Sequence, residues 1–221
     1  MRVGLAHLAL TEPAETLKRA LRLLEEARAE GVDLVLFPEY LFGRAPFPEG
    51  VRALAEAARA LGVRAALGHL EAGQNRLSLL PGGPSYAKLH PYLDEPEVTP
   101  GQAPVLWEGF GLALCYDLDF PELFRSYALK GAEAFLVGAA WPGEYRDLME
   151  VLARARAAEN QAYLFLANRH DTGSPSLAVR PDGRVVLRLE AEGLGVAELD
   201  RGFLEAYRAQ YPILSHRRAA Y

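Results

Sequence analysis

Residues 112–123 read LALCYDLDFPEL: an apolar run of strand length that ends on a cysteine, an acidic turn, and a proline placed to open a helix. Cys115 is the only cysteine in the 221-residue chain. A free cysteine is most often a small buried hydrophobe. Here it stands at the carboxyl end of a predicted strand, and in open α/β sheets that is where loops present side chains to a ligand. What the cysteine is for therefore depends on whether other strands end in groups of matching chemistry.

Outward from this stretch, strand and helix patterns alternate. Arg2–Leu8, Asp33–Phe37 and Val63–Gly68 are predicted strands, separated by helices over Ala14–Ala29 and Gly50–Leu61. Asn75–Leu80 and Tyr86–Lys88, joined by PGGPS, form a predicted hairpin, which brings antiparallel pairing into the sheet. After the loop PYLDEPEVTPG at 91–101 come strands over Val105–Trp107 and Gly111–Leu114, a helix over Pro121–Lys130, a strand over Ala134–Val137, a helix over Tyr145–Asn160 and a strand over Tyr163–Ala167. Ser176–Val179 and Arg184–Leu189, joined by RPDG, read as a second hairpin, and Gly195–Leu199 as a last strand. Alternation with hairpins favours two mixed sheets covered by helices over one purely parallel sheet. No repeat, low-complexity tract or linker divides the chain, so one domain over 1–221 is expected.

Composition excludes several classes of function. Half of the residues are hydrophobic and 24% are charged, the balance of a protein with a substantial core. The net charge of −5 and the lack of a basic stripe leave no footprint for nucleic acid. No uncharged run approaches the roughly 18 apolar residues of a membrane span. MRVGLAHLAL runs straight into a helical pattern without a small-residue cleavage site, so it reads as a first strand rather than a signal peptide. A lone cysteine makes no internal disulfide and no CxxC metal or redox pair. A cytoplasmic location is the default expectation.

Two further strands end in complementary groups: LVLFPEY carries Glu39 and YAKLH carries Lys88. A carboxylate can take the proton of a thiol, and an ammonium favours both the thiolate and the oxyanion formed when it attacks a carbonyl. Lysine suits the second task better than arginine because it is a compact charge with three rotatable donors. Of the 24 basic residues only Lys18, Lys88 and Lys130 are lysines, so the choice at position 88 stands out. His90 invites a Cys-His pairing, but beside Pro91 it reads as a loop or structural histidine.

The stretches LVLFPEY, YAKLH and ALCYDLDFPELFR, in this order, resemble the three signature segments of the carbon-nitrogen hydrolase, or nitrilase, superfamily. GAEAFLVGAAWP at 131–142, ARARAAENQAYLFLANR at 153–169 and the SLAVRPDGRVV hairpin extend the resemblance over nearly the whole chain. It implies a four-layer α-β-β-α sandwich, no metal or organic cofactor, and hydrolysis or acyl transfer at non-peptide C–N bonds of a small amide. It also implies that Glu39 is the base, Lys88 the oxyanion stabiliser and Cys115 the nucleophile. Glu95 is expected to assist, chosen over Glu97 by its distance from Pro100-Gly101. Tyr116, through its backbone N–H, and Trp141 are expected to bind substrate. The amidase-like branches are the nearest in form; a nitrilase, an N-acyltransferase or a catalytically idle metabolite-binding member are the alternatives. The sequence departs from the pattern at Asp119, where many members carry Arg, and in shortened segments at 73–85 and 168–176. A symmetric homodimer is expected, with the aromatic stretch YPILSHRRAAY at 211–221 as a candidate for its interface.

Overall fold

The computed structural model describes residues 1–218. Its strands are β1 (Arg2–His7), β2 (Leu34–Leu36), β3 (Arg64–Glu71), β4 (Gln74–Leu80), β5 (Ser85–Ala87), β6 (Leu106–Trp107), β7 (Phe110–Leu114), β8 (Ala134–Ala139), β9 (Tyr163–Asn168), β10 (Ser176–Val179), β11 (Val185–Leu189) and β12 (Gly193–Glu198). Its helices are α1 (Pro13–Ala29), α2 (Pro48–Leu61), α3 (Pro121–Leu129), α4 (Arg146–Asn160), α5 (Arg201–Gln210) and α6 (Ile213–His216). Proline opens α1, α2 and α3, where its missing N–H costs no helical bond and its fixed φ already matches the helix. Gly62 ends α2 in the left-handed region at φ 67°, a conformation that L side chains resist.

The strands form two six-stranded sheets, ordered β12-β1-β2-β3-β4-β5 and β11-β10-β9-β8-β7-β6. Each has three parallel strands at its centre, β1-β2-β3 in one and β7-β8-β9 in the other, with antiparallel strands outside them. The parallel strands are apolar on both faces, as burial on both sides demands. Leu34, Leu36 and Leu77 from the first sheet pack against Leu112, Leu114, Leu136 and Phe165 from the second. The opposite faces are covered by α1 with α2 and by α3 with α4. The result is the expected α-β-β-α sandwich with two mixed sheets.

Two elements differ from the sequence reading. β3 and β4 meet in a tight hairpin through Ala72 (φ 48°) and Gly73 (φ 74°), which carries β3 three residues past its expected end at Gly68. The chain after the last strand forms α5, capped by Asp200, whose side chain accepts from the Phe203 N–H at 3.0 Å. In the stretch expected at an interface, Tyr211 and Ile213 are exposed, and residues 219–221 lie outside the described residues. No helix among the described residues is long and apolar enough to cross a membrane.

Candidate active site

Three strand ends converge on one chamber. β2 leads through Phe37-Pro38 to Glu39, β5 leads directly to Lys88, and β7 leads directly to Cys115. Gly68 in β3 allows the first approach: a Cβ there would lie 2.4 Å from the Pro38 carbonyl oxygen and 2.6 Å from Glu39 Cα. Gly68→Ala is therefore expected to destabilise the protein by about 1–3 kcal/mol through overpacking against backbone that cannot yield. A melting temperature equal to that of the wild type would show that the segment around Glu39 is free to move.

Cys115 sits at φ +43°, a left-handed conformation that turns the chain sharply from β7 into a 3-10 segment over Cys115–Asp119. Asp117 holds that turn. Its fully buried carboxylate accepts from the Leu114 N–H at 2.9 Å, the Tyr86 hydroxyl at 2.7 Å and the His90 N–H at 3.1 Å, and the His90 ring Nδ1 lies 2.8 Å away. The cysteine turn is thereby tied to the strand and loop that carry Lys88. His90 also stacks on Phe120 at 3.6 Å between ring centroids, in keeping with a structural histidine.

The polar groups form one connected cluster. Lys88, 1% exposed, places Nζ 2.8 Å from Glu39 Oε1 and 2.7 Å from Glu95 Oε2. Asn75, in β4, donates Nδ2 to Glu39 Oε1 at 2.8 Å and to Glu95 Oε1 at 3.1 Å. Tyr40 donates its hydroxyl to Glu95, and the Tyr92 N–H reaches Glu95 Oε2 at 2.6 Å. Glu95 is 2% exposed, whereas Glu97 faces solvent. The Cys115 thiol borders the same chamber as Glu39, Lys88 and Ala140, close enough to Glu39 and Lys88 for their charges to act on it.

The two carboxylates are driven in opposite directions. Burial raises Glu39 above the ordinary carboxylate range; the Lys88 charge works against this, and the nearby Glu95 charge adds to it. Burial also works to raise Glu95, but Lys88 and the bonds from Tyr40 and Tyr92 outweigh it and hold Glu95 low. Burial works against the charge on Lys88, yet Glu39, Cys115 and Glu95 together push its pKa up and keep it an ammonium. The thiol lies well above its usual value, first through burial and then through the field of Glu39, with Lys88 opposing. A buried pair whose environments split the two pKa values in this way supplies one group that can exchange a proton and one that stays charged.

The cluster opens into a chamber of about 470 Å³ whose walls include Tyr92, Tyr116, Asp119, Trp141, Tyr145 and Arg169. Trp141 is held in place by its N–H to Asn168 Oδ1 at 2.7 Å and by its ring N–H to the Tyr145 carbonyl at 3.1 Å. Tyr116 stands in the first turn of the 3-10 segment, where leading N–H groups lack an intrahelical acceptor. All six residues singled out from the sequence, Glu39, Lys88, Glu95, Cys115, Tyr116 and Trp141, thus border one cavity. Sequence reading does not single out Asn75, Tyr40 or Asp117. Among the described residues no group of three or more His, Cys, Asp or Glu side chains is placed to hold a metal ion.

A family model described as carbon-nitrogen hydrolase matches residues 2–209. The chain belongs to the carbon-nitrogen hydrolase family. An (R)-stereoselective amidase of a Pseudomonas species is 32% identical over 242 residues, covering 94% of this chain and 87% of the relative. Among solved structures, an amidase from a Nesterenkonia species superposes with a TM-score of 0.77 at 27% identity, covering 96% and 95% of the two chains. In a mutant of the Nesterenkonia sp. AN1 amidase, acrylamide has undergone Michael addition at the active-site cysteine. The fold is shared with Saccharomyces cerevisiae Nit3, of branch 10 of the nitrilase superfamily, at a TM-score of 0.88 and 24% identity over 100% and 97% of the chains. The protein is thus a carbon-nitrogen hydrolase with amidases among its relatives.

Proposed function

We propose that this carbon-nitrogen hydrolase is an amidase that converts a small carboxamide to an acid and ammonia through a thioester on Cys115. The observation that carries this reading is a lone thiol that opens into the same chamber as Glu39 and as a lysine shared between two buried carboxylates. The uptake of an amide electrophile by the active-site cysteine of the Nesterenkonia amidase agrees with it.

The thiol is neutral at rest, so its proton leaves as substrate is attacked. Glu39 takes that proton while Sγ adds to the amide carbon, and the carbonyl oxygen becomes an oxyanion held by Lys88 Nζ and the Tyr116 N–H. Protonated Glu39 then gives the proton to the departing nitrogen, the C–N bond breaks, and ammonia leaves the thioester behind. Water enters, Glu39 removes one of its protons, and the hydroxide oxygen adds to the thioester carbon. Collapse expels the sulfur, which recovers the proton from Glu39 and releases the acid. Glu95, held low and fixed by four donors, keeps Lys88 in position throughout.

Ammonia release from a panel of aliphatic amides, with and without prior iodoacetamide treatment, tests the reaction. Mass spectrometry of protein trapped during turnover tests the intermediate. An acyl adduct on any residue other than Cys115, or release indifferent to alkylation, overturns the reading. For the assisting carboxylate, Glu95→Gln is expected to lower kcat by at least roughly tenfold, about 1.4 kcal/mol of barrier, while Glu97→Gln stays within a few-fold of wild type. Steady-state kinetics on both variants decides this, and a large loss confined to Glu97→Gln would reverse the assignment.

A further inference from the structure

Asp119 stands apart from the other charged residues of the chamber wall. Lys88 is shared by Glu39 and Glu95, Arg44 binds Asp94 at 2.7 Å, and Arg169 is paired with Asp171. Asp119 lines the same chamber, yet among the described residues no hydrogen bond or ion pair reaches its carboxylate, and its Oδ2 is closed off from solvent. Arg156 comes near without meeting this need. Its Nε and Nη2 donate to the backbone carbonyls of Leu118 and Asp119 at 3.0 and 3.2 Å, and its Nη1 pairs with Glu159 at 3.1 Å.

A carboxylate partly withdrawn from water and without a donor carries a desolvation cost that a cationic ligand at its accessible oxygen would offset. The rest of the wall is also suited to a cation. Tyr92, Tyr116, Trp141 and Tyr145 border the chamber, and aromatic faces attract ammonium groups. The cations of the wall are each paired with a carboxylate of the chain, so Asp119 is the charged wall residue left without a partner among the described residues.

Resting on the amidase reading, we infer that Asp119 selects amides that carry a protonated amine elsewhere in the molecule, and that it discriminates against amides bearing a carboxylate. The ammonium donates to the Asp119 carboxylate while the amide carbon lies over Cys115. An anionic amide meets like charge at the same place and loses affinity. Burial pushes the Asp119 carboxyl upward, opposed only by the Arg156 charge, which accords with a carboxylate short of partners.

Three amides of similar size separate the possibilities: β-alaninamide, which is cationic, butyramide, its neutral isostere, and succinamate, which is anionic. Wild type is expected to give kcat/KM for β-alaninamide at least roughly tenfold above that for butyramide, with succinamate lowest. In Asp119→Asn and Asp119→Ser the ratio of β-alaninamide to butyramide is expected to fall to near one. The two variants are made so that a folding failure in one leaves the other readable. A wild-type ratio at or below one, or a ratio preserved in the variants, overturns the inference.

Calorimetric titration of Cys115→Ala with the same three amides, with and without Asp119→Asn, gives a charge order that needs no turnover. If wild type releases ammonia from none of the three, the amidase reading fails. The inference then stands only if β-alaninamide binds Cys115→Ala best and loses that preference in the double variant. Equal binding of the three, or no binding in the millimolar range, overturns it.

Discussion

Cys115→Ala is expected to abolish amide hydrolysis, lowering kcat by more than about 10⁴-fold, while the protein keeps its fold. In the proposed chemistry the sulfur forms and breaks the only covalent bond to substrate. Alanine leaves Glu39 and Lys88 facing an amide with nothing to add to it. The site offers no substitute, because Cys115 is the only cysteine and the lysine ammonium is held charged by Glu39 and Glu95. Stability should change little. Cys115 is only partly buried, borders the chamber, and is joined to the second sheet's core at its margin. Ammonia assay and thermal melting on one preparation separate this from the bland role of a core thiol. That role predicts near-normal turnover with at most a modest loss of stability, and such a result would reject the thioester mechanism.

Glu39, Lys88 and Cys115 were legible before any coordinates because each follows a short apolar run, and strands of an α/β sheet deliver the residues at their carboxyl ends to a common edge. Two mixed sheets and the hairpins at PGGPS and RPDG, which are the β4-β5 and β10-β11 pairs, were also legible, whereas the antiparallel pairs β1-β12, β3-β4, β6-β7 and β9-β10 were not. What holds the three side chains in place was not legible either. Asn75 lies inside a predicted strand and looks like any polar alternate residue, yet it is fully buried and bonds both carboxylates. Asp117 looks like one more acid in an acidic turn, yet it is the fully buried anchor of the cysteine turn. Polar residues whose partners lie 20 to 36 positions away in sequence carry no periodic signal of their role.

The loop at 91–101 illustrates the same limit. Two glutamates flank Pro96, and backbone alternation does not choose between them; only the family spacing to Pro100-Gly101 favours Glu95. Glu95 is the one brought against Lys88 because the loop folds back onto the strand that leads to Lys88: the Gly101 N–H donates to the Lys88 carbonyl at 2.8 Å, and Val98 is buried. A Cβ at Gly101 would lie 2.2 Å from the Ala87 oxygen, so only glycine lets the loop close this tightly. By contrast, α5 was within reach of the sequence. Asp200 is a favoured N-cap type, and Phe203, Leu204 and Tyr207 follow it at helical spacing.

Lys88→Arg is the second substitution expected to have a very large effect, lowering kcat/KM by at least roughly 10³-fold although the charge is retained. Nζ sits between Glu39 Oε1 and Glu95 Oε2 at 2.8 and 2.7 Å, in a side chain that is 1% exposed. A guanidinium is broader and planar, and it would drive the carboxylates apart or withdraw from one of them. Loss of the Glu39 contact would raise its pKa further, because the Lys88 charge is the largest influence opposing burial there. At a given pH, less of the base would then be ionised to take the thiol proton. Lys88→Gln separates the charge from the shape. It removes the ammonium, leaves two buried carboxylates facing each other, and should cost about 3–5 kcal/mol of stability. Lys88→Arg should cost less stability than Lys88→Gln, yet both should be nearly inactive. Kinetics with thermal unfolding on the two variants is the test: near-normal turnover in Lys88→Arg would mean that position 88 supplies only charge, and the oxyanion role assigned to its ammonium would be wrong.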